Sequence, residues 1–311
     1  MMSIALIFPG QGSQSVGMMK AFSEQYSLVK ERFQEASDIV GYNLWDLTQN
    51  NTDNFLNRTE YTQPIILTAS IAALEILRKE ISFTPNYMAG HSLGEYTALC
   101  AAGALSFAEA IHLVHTRGKL MQEAVPHGEG AMAAILGLKN ATVSKICGEV
   151  EGEVYPANFN APEQVVIGGR YEAVKNACEV FKEAGAKRAL LLPVSVPSHT
   201  PLMRPAAAKL GLYLDKVHWK PLNTPVIFNV DTKLHADRYG IEAALGAQLY
   251  QPVLWAASIL KLVGEGVTAC IEVGPGKILT GLNKRIDSNL STTAFNTPEA
   301  LENVCHLVEN T

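Results

Sequence analysis

Residues 87 to 105, YMAGHSLGEYTALCAAGAL, place Ser92 inside Gly90-His91-Ser92-Leu93-Gly94, where a short apolar run gives way to alanine-rich sequence. The pattern G-x-S-x-G is that of a sharp strand-to-helix turn that lifts a serine hydroxyl over the end of a sheet, with small flanking residues to avoid clashes. Amides at the start of the following helix then face any oxyanion that develops on an attacked carbonyl. Three fixed positions are a weak signal alone, and a small polar residue in a turn is the competing reading. The strand-like PNYMAG before Ser92 and the helix-like EYTALCAAGAL after it favour a nucleophile.

A serine hydroxyl needs a base, and the chain has eight histidines. His112 and His115 share a helix at i, i+3, but no HExxH or cysteine cluster supplies the further ligands a metal would want. His91 adjoins the serine, and neighbours on a sharp turn point in different directions. His127, His218, His235 and His306 sit in polar or loop-like surroundings. His199 differs, because SVPSHTPLM follows the strand-like RALLLPV at a return between two domains, where a cleft is expected. The alternative is an exposed turn histidine before a helix starting at Pro201. For the group that orients His199, Asp231 after VIFNV is the obvious carboxylate, and a backbone carbonyl is the other option.

Arg117 is informative in another way. In EAIHLVHTRGKLMQEAV, residues Ala110, Leu113, Val114, Arg117, Leu120, Met121 and Ala124 form one helical stripe with Arg117 at its centre. A guanidinium buried there without a partner would cost several kcal/mol, so it should meet an anion, from a protein carboxylate or from a ligand. Its planar fork suits a carboxylate held by two bonds. FPGQGSQSVG has Gly10, Gly12 and Gly17, but Ser15 stands where a dinucleotide fingerprint needs glycine, and GPGKIL lacks the upstream glycine and the Ser or Thr of a P-loop. The first glycine turn is instead placed to line the same sheet edge as Ser92, with Gln11 available to donate a hydrogen bond.

These residues need a scaffold. Apolar strand-like runs (SIALIF, PNYMAG) alternate with helix-period segments (15 to 40, and Glu95 into Ala102), which reads as α/β with a parallel sheet. The middle differs: GAMAAILGL, ATVSKICGEV, EVYPANFN, EQVVIGG, YEAVKNACEVFKEAG and KRALLLPV give the order βαββαβ, a ferredoxin-like plan. The expectation is a small domain at 127–196 inserted into a large α/β domain made of 1–126 and 197–311. NTPVIFNV, a helix near 240 to 250, a helix after Pro252 and the strand in TACIEVGPG complete the large domain.

Composition bounds the function. The chain has 311 residues and a formal net charge of -5, which argues against a nucleic-acid binder. No apolar run approaches the roughly 18 residues of a membrane helix, and the start has no signal-peptide pattern. Five cysteines are scattered singly, suggesting neither disulfides nor zinc but a reduced cytoplasm. The densest basic segment, GPGKILTGLNKRI, holds Lys277, Lys284 and Arg285, either a solvated helix face or a docking patch.

FPGQGSQ, TQP (62 to 64), AGHSLGEYTAL, RGKLMQEA, GEGAMAAILGL, NAPEQVVIGG, PVSVPSHTPLM, QLYQPVLW and EVGPGKILTGLNKRI occur in that order. With them the chain resembles the malonyl-CoA:acyl-carrier-protein transacylases of bacterial fatty-acid synthesis, from residue 4 to about residue 300. The resemblance implies an α/β-hydrolase-like large domain with a ferredoxin-like insert. It also implies Ser92 as nucleophile, His199 as base, the Gln248 carbonyl in place of Asp231 against the other imidazole nitrogen, the Gln11 and Leu93 amides as oxyanion hole, and Arg117 on the malonyl carboxylate. Its partners would be malonyl-CoA and acyl carrier protein, the latter docking near Lys277, Lys284 and Arg285. No metal or redox cofactor is implied, the CoA thioester being a substrate. A hydrolase using the same serine and histidine, or a non-catalytic carrier-binding module, are the readings from other classes. The module would tolerate loss of Ser92 or His199, and both are present.

Overall fold

Residues Ser3–Phe8 alternate their side chains between two buried layers, Leu6 and Phe8 into one and Ala5 and Ile7 into the other, so they form a strand (β1) with no solvent face. The computed structural model describes residues 3–126, 128–194 and 196–309. β1 lies at the centre of a five-stranded parallel sheet with β2 (Tyr87–Gly90), β7 (Val226–Ile227), β8 (Val267–Val273) and β9 (Ser291–Phe295), in the order β7-β2-β1-β8-β9. Helices cover both faces, as a parallel sheet requires.

The middle of the chain forms a second, antiparallel sheet of β3 (Gly130–Leu136), β4 (Val154–Ala161), β5 (Gln164–Arg170) and β6 (Arg188–Leu191), ordered β4-β5-β3-β6. Helices Asn140–Glu149 and Tyr171–Glu183 pack on it through Val143, Ile146, Val174 and Phe181. That is the βαββαβ order of the sequence, with the strand arrangement of a ferredoxin-like unit. β4 leans on the large domain: Phe159 donates to the Val253 carbonyl, and Val253 donates to that of Ala157, each at 2.9 Å. The expected insert limits of 127–196 begin at His127, which, like Ser195, lies outside the described residues.

Several elements differ from the sequence expectation. The helix expected over 15 to 40 is two helices, Lys20–Gln25 and Leu28–Val40. In NTPVIFNV only Val226 and Ile227 pair as strand, because Asn229 has other bonds to make. The longest helix, Thr59–Glu80, has no counterpart in the expectation. Pro64 sits inside it, where it removes an N–H, and the Glu60 carbonyl left without that donor faces the Tyr42 hydroxyl at 3.5 Å. β9 and the last helix, Leu301–Glu309, were also unmarked by any motif.

Candidate active site

β2 ends at Gly90 and a helix, Leu93–Ala101, starts at Leu93, leaving Ser92 in the turn at φ 51°, ψ -108°. Such a backbone is costly for a residue with a Cβ and is held only where its surroundings impose it. The glycines show why the turn needs them. A Cβ on Gly90 would lie 1.9 Å from the Gly94 carbonyl group, and one on Gly94 would lie 2.1 Å from the Phe8 oxygen. No larger residue fits between turn, helix and β1.

The strain aims Ser92 Oγ at His199 Nε2, 2.7 Å away. His199 is 3% exposed, not the exposed turn histidine of the alternative reading, and sits at φ 62° just before the short Pro201–Met203 turn. Its Nδ1 lies 2.6 Å from the Gln248 carbonyl, and its own N–H donates to the Leu249 carbonyl at 2.9 Å. With a carbonyl at Nδ1 that nitrogen carries the proton, which leaves Nε2 free to accept from Ser92. Burial, and next the Arg117 charge, lower the imidazole pKa to about 3, so the ring is a neutral base at pH 7. Asp231 instead pairs with His235 Nε2 at 2.9 Å.

Arg117 is 1% exposed on the helix Phe107–Ala124. Nη1 donates to Gln63 Oε1 at 2.8 Å, and Nη2 donates to Gln248 Oε1 at 2.8 Å and to Ser92 Oγ at 3.3 Å. Tyr96 lies under the guanidinium, its ring centroid 5.2 Å from Cζ. Nε has no partner among the described residues. These partners are neutral. The carboxyl acting on Arg117 through space, Glu95, is fully buried, and desolvation raises its pKa to about 8, so it is largely protonated at pH 7. Burial accordingly lowers the Arg117 pKa. The site thus holds a buried cation beside the serine hydroxyl, with amide oxygens where the sequence led one to expect an anion.

The amides of Gln11 and Leu93 have no acceptor among the described residues, whereas their neighbours do: Ser13 donates to Gly10 and Gly94 to His91. The Gln11 side chain donates to Thr59 Oγ1 at 3.2 Å. Thr59 also lines a cleft of about 580 Å³ with Asn57, Arg58, Gln122, Pro193 and Val194, a lining that includes none of Ser92, His199 and Arg117. The remaining candidates fall elsewhere. His91 turns away, Nε2 lying 2.8 Å from Asn160 Oδ1. His115 is buried, its pKa lowered to about 4 by desolvation, and among the described residues no group of three His, Cys, Asp or Glu could hold a metal. All five cysteines are free. Lys277 and Lys284 are exposed, but Arg285 spends its guanidinium on Gln164 Oε1 and the Pro162 carbonyl of the insert. No described helix is long and apolar enough to cross a membrane.

Gln63, Glu95 and Asn229 join the site without having been singled out as site residues. Gln63 was within reach, since it stands in TQP. Glu95 and Asn229 act through contacts no local pattern reveals: Asn229 Oδ1 accepts from the Ser92 amide 137 positions away.

Comparison with known proteins shows the family. The acyl transferase domain model covers residues 5–294. The malonyl CoA-acyl carrier protein transacylase of Escherichia coli K12 is 52% identical over 303 residues, 97% of this chain and 98% of that protein. The Bacillus subtilis protein of the same name is 47% identical over 305 residues, 97% and 96% of the two chains. Among solved structures, a malonyl-transacylase in complex with a type II PKS acyl-carrier protein superposes with a TM-score of 0.95 at 47% identity, covering 99% of this chain and all of that one (100%). An acyl carrier protein S-malonyltransferase from Vibrio cholerae gives 0.93 at 49%, covering 97% and 99%. A strained serine turn facing a carbonyl-anchored histidine, on a fold shared over nearly its whole length with these proteins, makes this chain a member of the acyl transferase domain family.

Proposed function

We propose that the chain moves a malonyl group from coenzyme A to the phosphopantetheine thiol of an acyl carrier protein in fatty-acid biosynthesis, through a malonyl ester on Ser92. The observation that carries the choice of acyl group is Arg117: a buried guanidinium with neutral partners, 3.3 Å from Ser92 Oγ, is a counter-ion site for an acyl chain ending in carboxylate.

His199 Nε2 takes the Ser92 proton as Oγ attacks the thioester carbonyl, and the Gln248 carbonyl steadies the imidazolium at Nδ1. The oxyanion is received by the amides of Gln11 and Leu93. The C–S bond then breaks, the coenzyme A thiolate leaves with the proton from His199, and malonyl-Ser92 remains. The carrier thiol enters, loses its proton to His199, attacks the ester carbonyl, and Ser92 leaves with that proton. Serine–histidine acyl transfer asks for no metal or redox cofactor, and the CoA thioester is a substrate.

We take 127–196 as the limits of the insert, Lys277 and Lys284 as cations that meet the carrier, with Arg285 shared between carrier and insert, and the cytoplasm as the setting, in keeping with five free cysteines. Steady-state kinetics with both substrates varied test the covalent route. Parallel double-reciprocal lines are expected, and intersecting lines would exclude a free malonyl-enzyme.

A further inference from the structure

Asn229 is fully buried just past β7, and every polar group it owns is engaged. Its Oδ1 accepts the Ser92 N–H at 2.7 Å, and its Nδ2 donates to the Gly90 carbonyl at 2.7 Å, so one side-chain amide spans the serine turn. Its own N–H donates to Glu95 Oε2 at 2.6 Å, one turn into the helix that follows Ser92. Its carbonyl accepts from Leu254 N–H at 2.9 Å, fixing it to the segment after Gln248 and Leu249, which hold His199. The Ser92 carbonyl is held from that same side, by Gln248 Nε2 at 3.0 Å.

Ser92 is in a backbone conformation that relaxes unless its N–H and C=O are both pinned. The turn offers the Ser92 amide no acceptor of its own. We infer that Asn229 is a positioning residue that holds Ser92 Oγ on the His199 line, with Glu95 anchoring Asn229 from the helix behind. The inference rests on the transferase reading above. Asn229 touches no reacting atom, so its effect should fall on the rate of serine attack. Because its hydrogen bonds go to Ser92, Gly90, Glu95 and Leu254 and none to Arg117, it should affect every acyl group alike, unlike Arg117.

The test is quenched-flow intact-mass measurement of Ser92 acylation by malonyl-CoA and by acetyl-CoA, comparing the wild-type chain with Asn229→Ala. Expected is a fall of about 10- to 100-fold in acylation rate for both donors, at an unchanged final amplitude and with the half-saturating malonyl-CoA concentration within about 2-fold, as misplacement of a nucleophile gives. Should the Ala variant not fold, Asn229→Asp keeps the acceptor for the Ser92 N–H but sets a second acceptor against the Gly90 carbonyl, and the same rate loss at full amplitude is expected. A rate within about 3-fold of wild type, a reduced amplitude at the wild-type rate, or a loss confined to malonyl-CoA would overturn the inference. No adduct on the wild-type chain would instead overturn the transferase reading, and the inference with it.

Discussion

Arg117→Ala separates the acyl-group choice from the chemistry. In the structure Gln63 and Gln248 hold the guanidinium in place, Nη2 also reaches Ser92 Oγ, and Nε has no partner among the described residues. A malonyl carboxylate would gain two charge-assisted hydrogen bonds there, each worth about 1.5–3 kcal/mol. Their loss is about 3–6 kcal/mol, or roughly 10²- to 10⁴-fold in kcat/KM. The substitution also strands the Gln63 and Gln248 amide oxygens and removes the bond to Ser92 Oγ. Those costs fall on all acyl groups, so the ratio of malonyl to acetyl transfer isolates the carboxylate. Initial rates of transfer to holo carrier protein from malonyl-CoA and acetyl-CoA, for the wild-type and variant enzymes, give that ratio directly. It should fall by roughly 10²-fold or more, with acetyl transfer reduced only by the costs shared by all acyl groups. An equal loss for both donors would refute the anchor and leave Arg117 as a structural cation.

The Arg117 charge helps depress the His199 pKa, so in Arg117→Ala the acid limb of the acylation-rate profile should move to higher pH; an unmoved limb would mean that the two groups do not interact. Gly94→Ala drives a methyl to 2.1 Å from the Phe8 oxygen and should cost about 1–3 kcal/mol of stability with loss of acylation, checked by thermal melts and adduct formation. Glu95 has its folded pKa raised to about 8 by burial, so its stabilising contribution is full below the unfolded value near 4.5 and fades as pH rises through 8. Glu95→Gln does not titrate, so the wild-type Tm should decline relative to this variant between pH 5 and pH 9, and a constant difference would contradict the buried acid. Lys284→Glu should raise the KM for carrier protein more than that for malonyl-CoA, and it is a cleaner probe than Arg285, whose guanidinium also ties the insert.

The serine turn was legible because strain leaves a local mark: glycines at 90 and 94 are the residues that permit Ser92 to sit at φ 51°. Arg117 was legible by contradiction, a cation at the centre of an apolar stripe. What periodicity could not say was which anion it meets, and the side chains that hold it, Gln63 and Gln248, lie 54 and 131 positions away. The role of Gln248 came through family resemblance, since any residue has a carbonyl to offer a histidine. Asn229 was hidden for a related reason: it ends what reads as a strand, and its amide does its work across the sheet. The helix Thr59–Glu80 escaped because Pro64 reads as a breaker, and the packing that holds the helix despite the lost N–H, its residues from Thr62 to Leu74 all buried, comes from the fold and leaves no local mark.

The central claim is a malonyl ester on Ser92 that moves to a carrier thiol. Intact-protein mass spectrometry after mixing with malonyl-CoA, then with holo carrier protein, beside a Ser92→Ala control, tests it most directly. The expected result is a malonyl adduct that requires Ser92, persists in water and passes to the carrier. An adduct that decays to malonate without reaching the carrier would make the protein a hydrolase, and no adduct from any acyl-CoA would leave Ser92 as a residue of a strained turn and nothing more.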